Sequence, residues 1–197
     1  MKILIACEES QVVCKAFRAK GHEAYSCDIL PTSGDHPEWH LHGDFRRYIF
    51  QDWDMLIAHP PCTYLCNSGV RWLKGNPERF EKMVAAAQLF KMFLGMDQAG
   101  IAKICVENPI PHKHAQFPKY SQLIQPWQLG HKEIKATCLW LKGLPPLIPT
   151  NIVGPPPKDR DKNEWDKVHR ASPGPERAKI RSKTLFGYGQ AMAEQWG

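Results

Sequence analysis

The chain has 197 residues, 43% hydrophobic and 23% charged, the make-up of a globular protein with room for one substantial core. No apolar run approaches the roughly 20 residues of a membrane span, which excludes a helical membrane protein and any membrane partner that needs one. The net charge of +6 leans toward polyanionic partners but fits a basic enzyme of small substrates equally well. Seven cysteines, with no C-x-x-C pair among them, read as reduced thiols in a cytoplasmic protein. The five apolar residues ahead of Glu8 are too few for the core of a signal peptide.

Ile3–Cys7 is a short, uniformly apolar run, as expected of a central parallel strand covered on both faces. Ser10 is the expected N-cap of a helix running to about Lys20, with Gly21 as its stop. Val13, Ala16, Phe17 and Lys20 would share its inner face, with the Lys20 stem at the rim. Glu23–Cys27 reads as a second strand ending at Asp28, which completes a βαβ unit. Residues 31–42 read as a loop; its histidines, His36, His40 and His42, have no matching cysteine pair and are taken as solvated rather than as metal ligands. Trp53–His59 forms the next strand, stopped by Pro60-Pro61 because proline lacks a ladder donor and fixes φ. That places Cys62 on a stiff loop at the strand's carboxyl end.

The segment from Thr63 to Gly75 mixes Tyr64, Asn67, Arg71, Trp72 and Lys74, a loop of functional length. Asn76-Pro77 opens a helix to about Met96 with Phe80, Met83, Val84, Ala87, Phe90 and Leu94 at helical spacing. Lys103–Val106 is a strand expected to stop before Glu107-Asn108-Pro109, Ala136–Leu141 is a further strand, and Gln190–Trp196 is a terminal helix. The Pro-, Lys- and Arg-rich stretch at 151–183 reads either as a solvated loop or as a surface for phosphates. Glu8, Asp28, Asp44, Cys62 and Glu107 all follow apolar runs. In a parallel sheet such tips share one edge, where ligands bind.

These residues resemble, in order, the motifs of the DNA cytosine-5 methyltransferases, and more closely the compact methyltransferase-like proteins of bacteriophages and prophages. Ile5-Ala-Cys7-Glu8 stands at the first, cofactor-binding motif, Asp28 at the ribose-binding acid and Gly43-Asp44 at the adenine-binding motif. Pro60-Pro61-Cys62 stands at the catalytic loop, Glu107-Asn108 at the Glu-Asn motif, Lys135 near the family's first arginine, and Gly189-Gln190-Ala191 at the closing motif. The resemblance implies an α/β, Rossmann-like methyltransferase fold, with a mostly parallel sheet and helices on both faces. It also implies one catalytic domain over 1–197, with an insertion at about 148–183 and no separate target-recognition domain. The implied activity is S-adenosylmethionine-dependent methylation of carbon 5 of cytosine, in DNA or in a nucleotide, through a covalent Cys62 adduct.

In that scheme Cys62, Glu107 and Lys135 are catalytic. Cys7, Glu8, Asp28, Asp44, Pro60 and Gln190 hold the cofactor, and Asn67, Arg71 and Asn108 contact substrate. Positive charge from His59, Lys135 or Arg71 is expected to lower the Cys62 pKa. DNA would be held by the loops at 63–75 and 151–183, or with help from a second copy of the chain or an accessory recognition partner. The loop Cys7-Glu8-Glu9-Ser10-Gln11 departs from the family in having no glycine, and Thr63 and Thr137 replace its usual Gln and second Arg. Two other readings stand beside this one: a non-catalytic nucleic-acid-binding protein that keeps the fold, and an amino-methyltransferase, suggested by His59-Pro60-Pro61.

Overall fold

In the computed structural model, which describes residues 1–172, 174, 177 and 181–197, seven strands form one sheet. They are β1 (Lys2–Ala6), β2 (Glu23–Asp28), β3 (His40–His42), β4 (Met55–Ala58), β5 (Lys103–Pro109), β6 (Gln122–Ile124) and β7 (Thr137–Lys142). The order across the sheet is β3-β2-β1-β4-β5-β7-β6. The first five are parallel neighbours, while β7 runs antiparallel to both β5 and β6. The chain builds outward from β1 to β3, then crosses back to β4. The gap between the carboxyl ends of β1 and β4 is therefore the switch point of a doubly wound sheet. The α/β, mostly parallel architecture expected from the sequence is the one observed.

The uniform apolar strands still alternate inward contacts. Ile3, Ile5, Met55 and Ile57 pack on one face under α1 (Val12–Ala19) and α5 (Phe186–Trp196), through Val13, Phe17, Ala191, Met192 and Trp196. Leu4, Ala6, Leu56, Ala58, Ile104 and Val106 pack on the other face under Ala87, Phe90 and Phe93 of α2 (Pro77–Leu94). Asn76 caps α2 by accepting the Arg79 N–H at 2.9 Å, with Pro77 in its first turn, as the sequence predicts. Phe80 and Val84 do not join the inner face. Residues 77–82 are all exposed or half-exposed, so the first turn and a half of α2 projects beyond the core.

The structure corrects three further expectations. The loop over 31–42 contains edge strand β3, whose His40 and His42 rings bond the carbonyls of Leu30 and Ile29. Strand β5 does not stop before Glu107. It continues to Pro109 because β7 pairs with it as far as Pro109↔Thr137, whereas β4 ends opposite Val106. The missing N–H of Pro109 thus falls where no parallel neighbour needs it. Finally, Ser10 does not cap α1. The buried carboxylate of Glu8 accepts the N–H groups of Val13 at 2.7 Å and Cys14 at 3.2 Å, while Gln11 takes the cap position in a left-handed conformation (φ 59°).

The stretch 151–183 is neither a plain loop nor wholly solvated. It contains α3 (Lys162–Trp165) and α4 (Lys167–Arg170), anchored by the buried Trp165 and Val168. The Trp165 carbonyl accepts the Ile134 N–H at 2.9 Å, which ties the stretch to the chain entering β7. Lys179, part of the expected basic surface, lies outside the described residues. No helix among the described residues is long and apolar enough to cross a membrane.

Replacing Glu8 with alanine strands two buried amide donors of α1. Each unmet buried donor costs about 1–3 kcal/mol, partly offset by relief of the buried charge. Glu8→Ala should therefore lower unfolding free energy by about 1–3 kcal/mol in denaturant titration, and Glu8→Gln, which keeps one acceptor, should lower it less. Equal stability of Glu8→Ala and the parent chain would show that the cap carries nothing.

Candidate active site

Three strand tips meet at the switch point, and His59 joins them. Its N–H donates to the Ala6 carbonyl at 3.0 Å, adding one bond to the β1–β4 ladder. Its ring, about one-tenth exposed, reaches Glu107 at 3.4 Å through Nδ1. On its other side it acts on Glu8: burial raises the Glu8 pKa, and His59 is the first opposing influence. Burial also works against the charged form of Glu107, yet the His59 hydrogen bond and nearby Lys135 outweigh it and hold that pKa below the ordinary range. The ring Nε2 of His59 and the Oδ1 of fully buried Asn108 have no hydrogen-bond partner among the described residues. Buried polar atoms are rarely left so.

Pro60, buried, and Pro61 end the strand, and the chain makes one tight turn. Leu65 and Cys66 N–H groups both donate to the Cys62 carbonyl, at 3.0 and 3.2 Å. The turn is fastened to the segment after β5. His112 N–H donates to the Leu65 carbonyl at 3.0 Å, the His112 ring bonds the Tyr64 carbonyl at 2.8 Å, and Asn67 N–H donates to the Ile110 carbonyl at 3.1 Å. Cys62 is thereby held within the electrostatic influence of both Glu107 and Lys135.

The electrostatics of that thiol differ from the sequence-based expectation. The Cys62 pKa is raised, not lowered: the hydrogen bond to Cys66 comes first, then burial, then Glu107, and Lys135 opposes them only weakly. The lowered thiol is Cys66, brought down to about 5 chiefly by the hydrogen bond from Cys62, against its burial, with help from Ser68 and Arg181. Cys66 Sγ lies 3.1 Å from Ser68 Oγ, which in turn is 3.5 Å from an Arg181 guanidinium nitrogen. The two thiols thus shift in opposite directions, and Cys66 is the one favoured as a thiolate. Cys66, Ser68 and Arg181 were not singled out from the sequence. The signal was a C-x-x-x-C spacing, which places two thiols one turn apart.

Lys135 is brought to this centre, its Nζ also donating to the Lys183 carbonyl at 3.2 Å. Asn67 and Arg71 are exposed in a 3-10 stretch beside it, with the Arg71 guanidinium 4.7 Å from the centre of the Trp72 ring. Asn108 donates its amide to the Pro109 carbonyl.

A second group lies along β1 and β2. Cys7, also left-handed (φ 59°), has its thiol pushed up to about 12 by burial and then by Asp28, Cys27 and Asp44. Asp28 accepts the Leu30 N–H at 2.9 Å, and Asp44 accepts the Arg46 N–H at 3.0 Å, both through Oδ1. The Gly43 N–H is held by the Asp28 carbonyl at 2.8 Å, which fixes the two acids together. Their Oδ2 atoms remain as acceptors suited to the hydroxyls of a sugar. Glu8 and Gln190 do not join them. Glu8 is taken up by α1, and Gln190 is exposed on α5, bonded to Glu194 at 3.0 Å. Gly189 instead makes the close approach, its α-carbon facing the Val12 carbonyl and Val13 of α1.

No protein-family model matches the chain, and no curated protein matches it. Among solved structures it is similar to a prophage-encoded E. coli protein thought to be a DNA modification methyltransferase, at 12% identity and a TM-score of 0.45. The match covers 79% of this chain and 53% of that one, so the chain spans about half the length of that protein. A likeness this loose does not assign an activity.

Removing the His59 ring takes away the hydrogen bond and charge that help hold Glu107 down. In His59→Ala the Glu107 pKa should rise, read by carbon-13 carboxyl NMR titration against the parent chain. An unchanged Glu107 titration would mean that Lys135 alone sets its charge.

Proposed function

We propose that the protein is an S-adenosylmethionine-dependent methyltransferase acting at carbon 5 of cytosine, with Cys62 as the covalent nucleophile. The observation that carries this reading is the convergence of a thiol, a carboxylate and an ammonium group, Cys62, Glu107 and Lys135, at neighbouring strand tips. Carbon 5 of cytosine is a poor nucleophile until a thiolate adds at carbon 6. Cys62 adds there as its proton passes to Cys66, whose charge Ser68 and Arg181 already favour. Glu107, held as a carboxylate, accepts from the exocyclic amine and from N3 once N3 takes a proton from solvent as the thiolate adds, and Asn108 Oδ1 beside it has no partner among the described residues. Lys135 assists at O2. When water takes the carbon-5 proton, the electron pair left behind re-forms the ring double bond, the bond from carbon 6 to sulfur breaks, and Cys62 recovers its own proton from Cys66.

The cofactor, when bound, supplies a methyl group on a positively charged sulfur. Asp28 and Asp44 fit its sugar and base hydroxyl and amine donors, and Cys7 and Pro60 line the adjoining turns. The buried Glu8 fills the amides at the start of α1 that a glycine-rich loop would otherwise leave to a ligand. That observation favours the second reading, a non-catalytic nucleic-acid-binding protein. DNA is the substrate that the net charge and the basic 63–75 and 151–183 segments suit, and a base inside a duplex would have to be flipped out.

The deciding experiment incubates the chain with S-adenosylmethionine and DNA containing 5-fluorocytosine. Fluorine cannot leave as a cation, so a carbon-5 enzyme stalls with Cys62 attached. The expected result is an adduct on the Cys62 peptide by mass spectrometry, absent in Cys62→Ala. No adduct with saturable cofactor binding would move the substrate to a free nucleotide or an amino group. No adduct and no cofactor binding would leave the non-catalytic reading.

A further inference from the structure

The two thiols facing each other in the Cys62 turn have a chemistry of their own, independent of any methyl transfer. An i→i+4 backbone bond joins them, with the Cys66 N–H on the Cys62 carbonyl at 3.2 Å. In a helical turn that bond sets the α-carbons ~6 Å apart, within the span a disulfide bridges. The two thiols lie close enough to shift each other's hold on a proton. The turn is fastened to the segment after β5 through Tyr64, Leu65 and Asn67, and the prolines before Cys62 fix its other end, so the pair is held together rather than meeting by chance.

We propose that Cys62 and Cys66 are an oxidative modification site, at which a hydroperoxide converts the pair into a reversible intrachain disulfide. The Cys66 thiolate attacks one peroxide oxygen. The O–O bond breaks, the departing hydroxide takes a proton to become water, and Cys66 becomes a sulfenic acid. The Cys62 sulfur then attacks the Cys66 sulfur. The S–O bond breaks, the second hydroxide leaves and takes the Cys62 proton, and the S–S bond forms. Two thiols and one hydrogen peroxide give one disulfide and two waters, and a dithiol reductant reverses the change.

Selectivity follows from the surroundings. Cys66 is the thiol lowered to about 5, with Ser68 and Arg181 in support. The other five cysteines offer no such group. Burial pushes Cys7, Cys14 and Cys27 up to about 12 and Cys138 up to about 11, and it raises Cys105 as well. Cys14 and Cys27 further spend their thiols on the carbonyls of Ala24 and Gly43. The sulfenic acid on Cys66 therefore has one resolving thiol at hand, Cys62.

The test exposes the full chain to stoichiometric hydrogen peroxide at neutral pH, then alkylates under denaturing conditions and maps peptides by mass spectrometry. The expected result is loss of two of the seven alkylatable thiols, both in a linked Cys62–Cys66 peptide, with all seven restored by dithiothreitol. Cys62→Ser should stop at a Cys66 sulfenic acid trapped by dimedone, and Cys66→Ser should leave Cys62 unoxidised under the same exposure. Circular dichroism of both variants confirms the fold. Seven unchanged thiols, a bond to any other cysteine or to a second molecule, or a Cys62→Ser chain with no dimedone adduct would each overturn the proposal. The readout needs neither cofactor nor cytosine, so its failure is separate from failure of the fluorocytosine trap.

Discussion

The structure depends on one imidazole placed between two carboxylates. His59 follows β4 directly, bonds β1 through its backbone and β5 through its ring, and opposes the burial of Glu8 behind it. Buried charges are costly unless paired, and a network partly satisfied is costlier than one complete. Here the pairing orients the parts. Glu8 secures the start of α1, Glu107 is kept charged at the tip of β5, and the two prolines after His59 turn the chain sharply away. The influence on both carboxylates traces to the same ring, so a different side chain at 59 would release Glu8 and Glu107 together while the backbone bond to β1 stayed.

From that fixed point the Cys62 loop has little freedom. Prolines set its departure, the Cys62 carbonyl closes the turn, and His112 and Asn67 fasten it to the strand that carries Glu107. The C-terminal basic stretch then closes over it from outside. Trp165 holds that stretch to Ile134, the Lys183 carbonyl receives Lys135, and Arg181 reaches Ser68. Its charges are partly spent internally, with Arg160 on Asp166 and Lys132 on Glu164. The stretch is therefore a wall of the site as well as a cationic surface. The same residues shape the centre and carry the surface charge.

The parallel half of the sheet was legible because buried parallel strands are short apolar runs, and each was bounded by a glycine, a proline or an acid. What misled was context carried by a partner strand. Proline after Glu107-Asn108 predicts a strand end, but β7 was already paired there, so Glu107 stands inside a strand. Likewise Ser10 has the right chemistry for a cap, and it lost to Glu8, whose longer side chain reaches the amides from inside the core. The convergence of Cys62, Glu107 and Lys135 was legible as residue types near strand tips, since topology alone brings tips together. Its charge distribution was not, because a thiol's pKa depends on what it faces. Cys62 was expected to face cations, and it faces Cys66 first.

That pairing joins reactivity and vulnerability in one piece of geometry. A cysteine nucleophile kept as a lone thiolate would be exposed to every oxidant and metal in its surroundings. In the pair, Cys66, 8% exposed, is the thiol that gives up its proton more readily, and Cys62 holds its own more firmly. The turn that brings the two thiols under each other's influence also sets their α-carbons within the span of a disulfide. If Cys62 is the nucleophile proposed above, the neighbouring thiol that shields it also gives it, by the same geometry, a way of being shut off reversibly before oxidation proceeds to the irreversible acids.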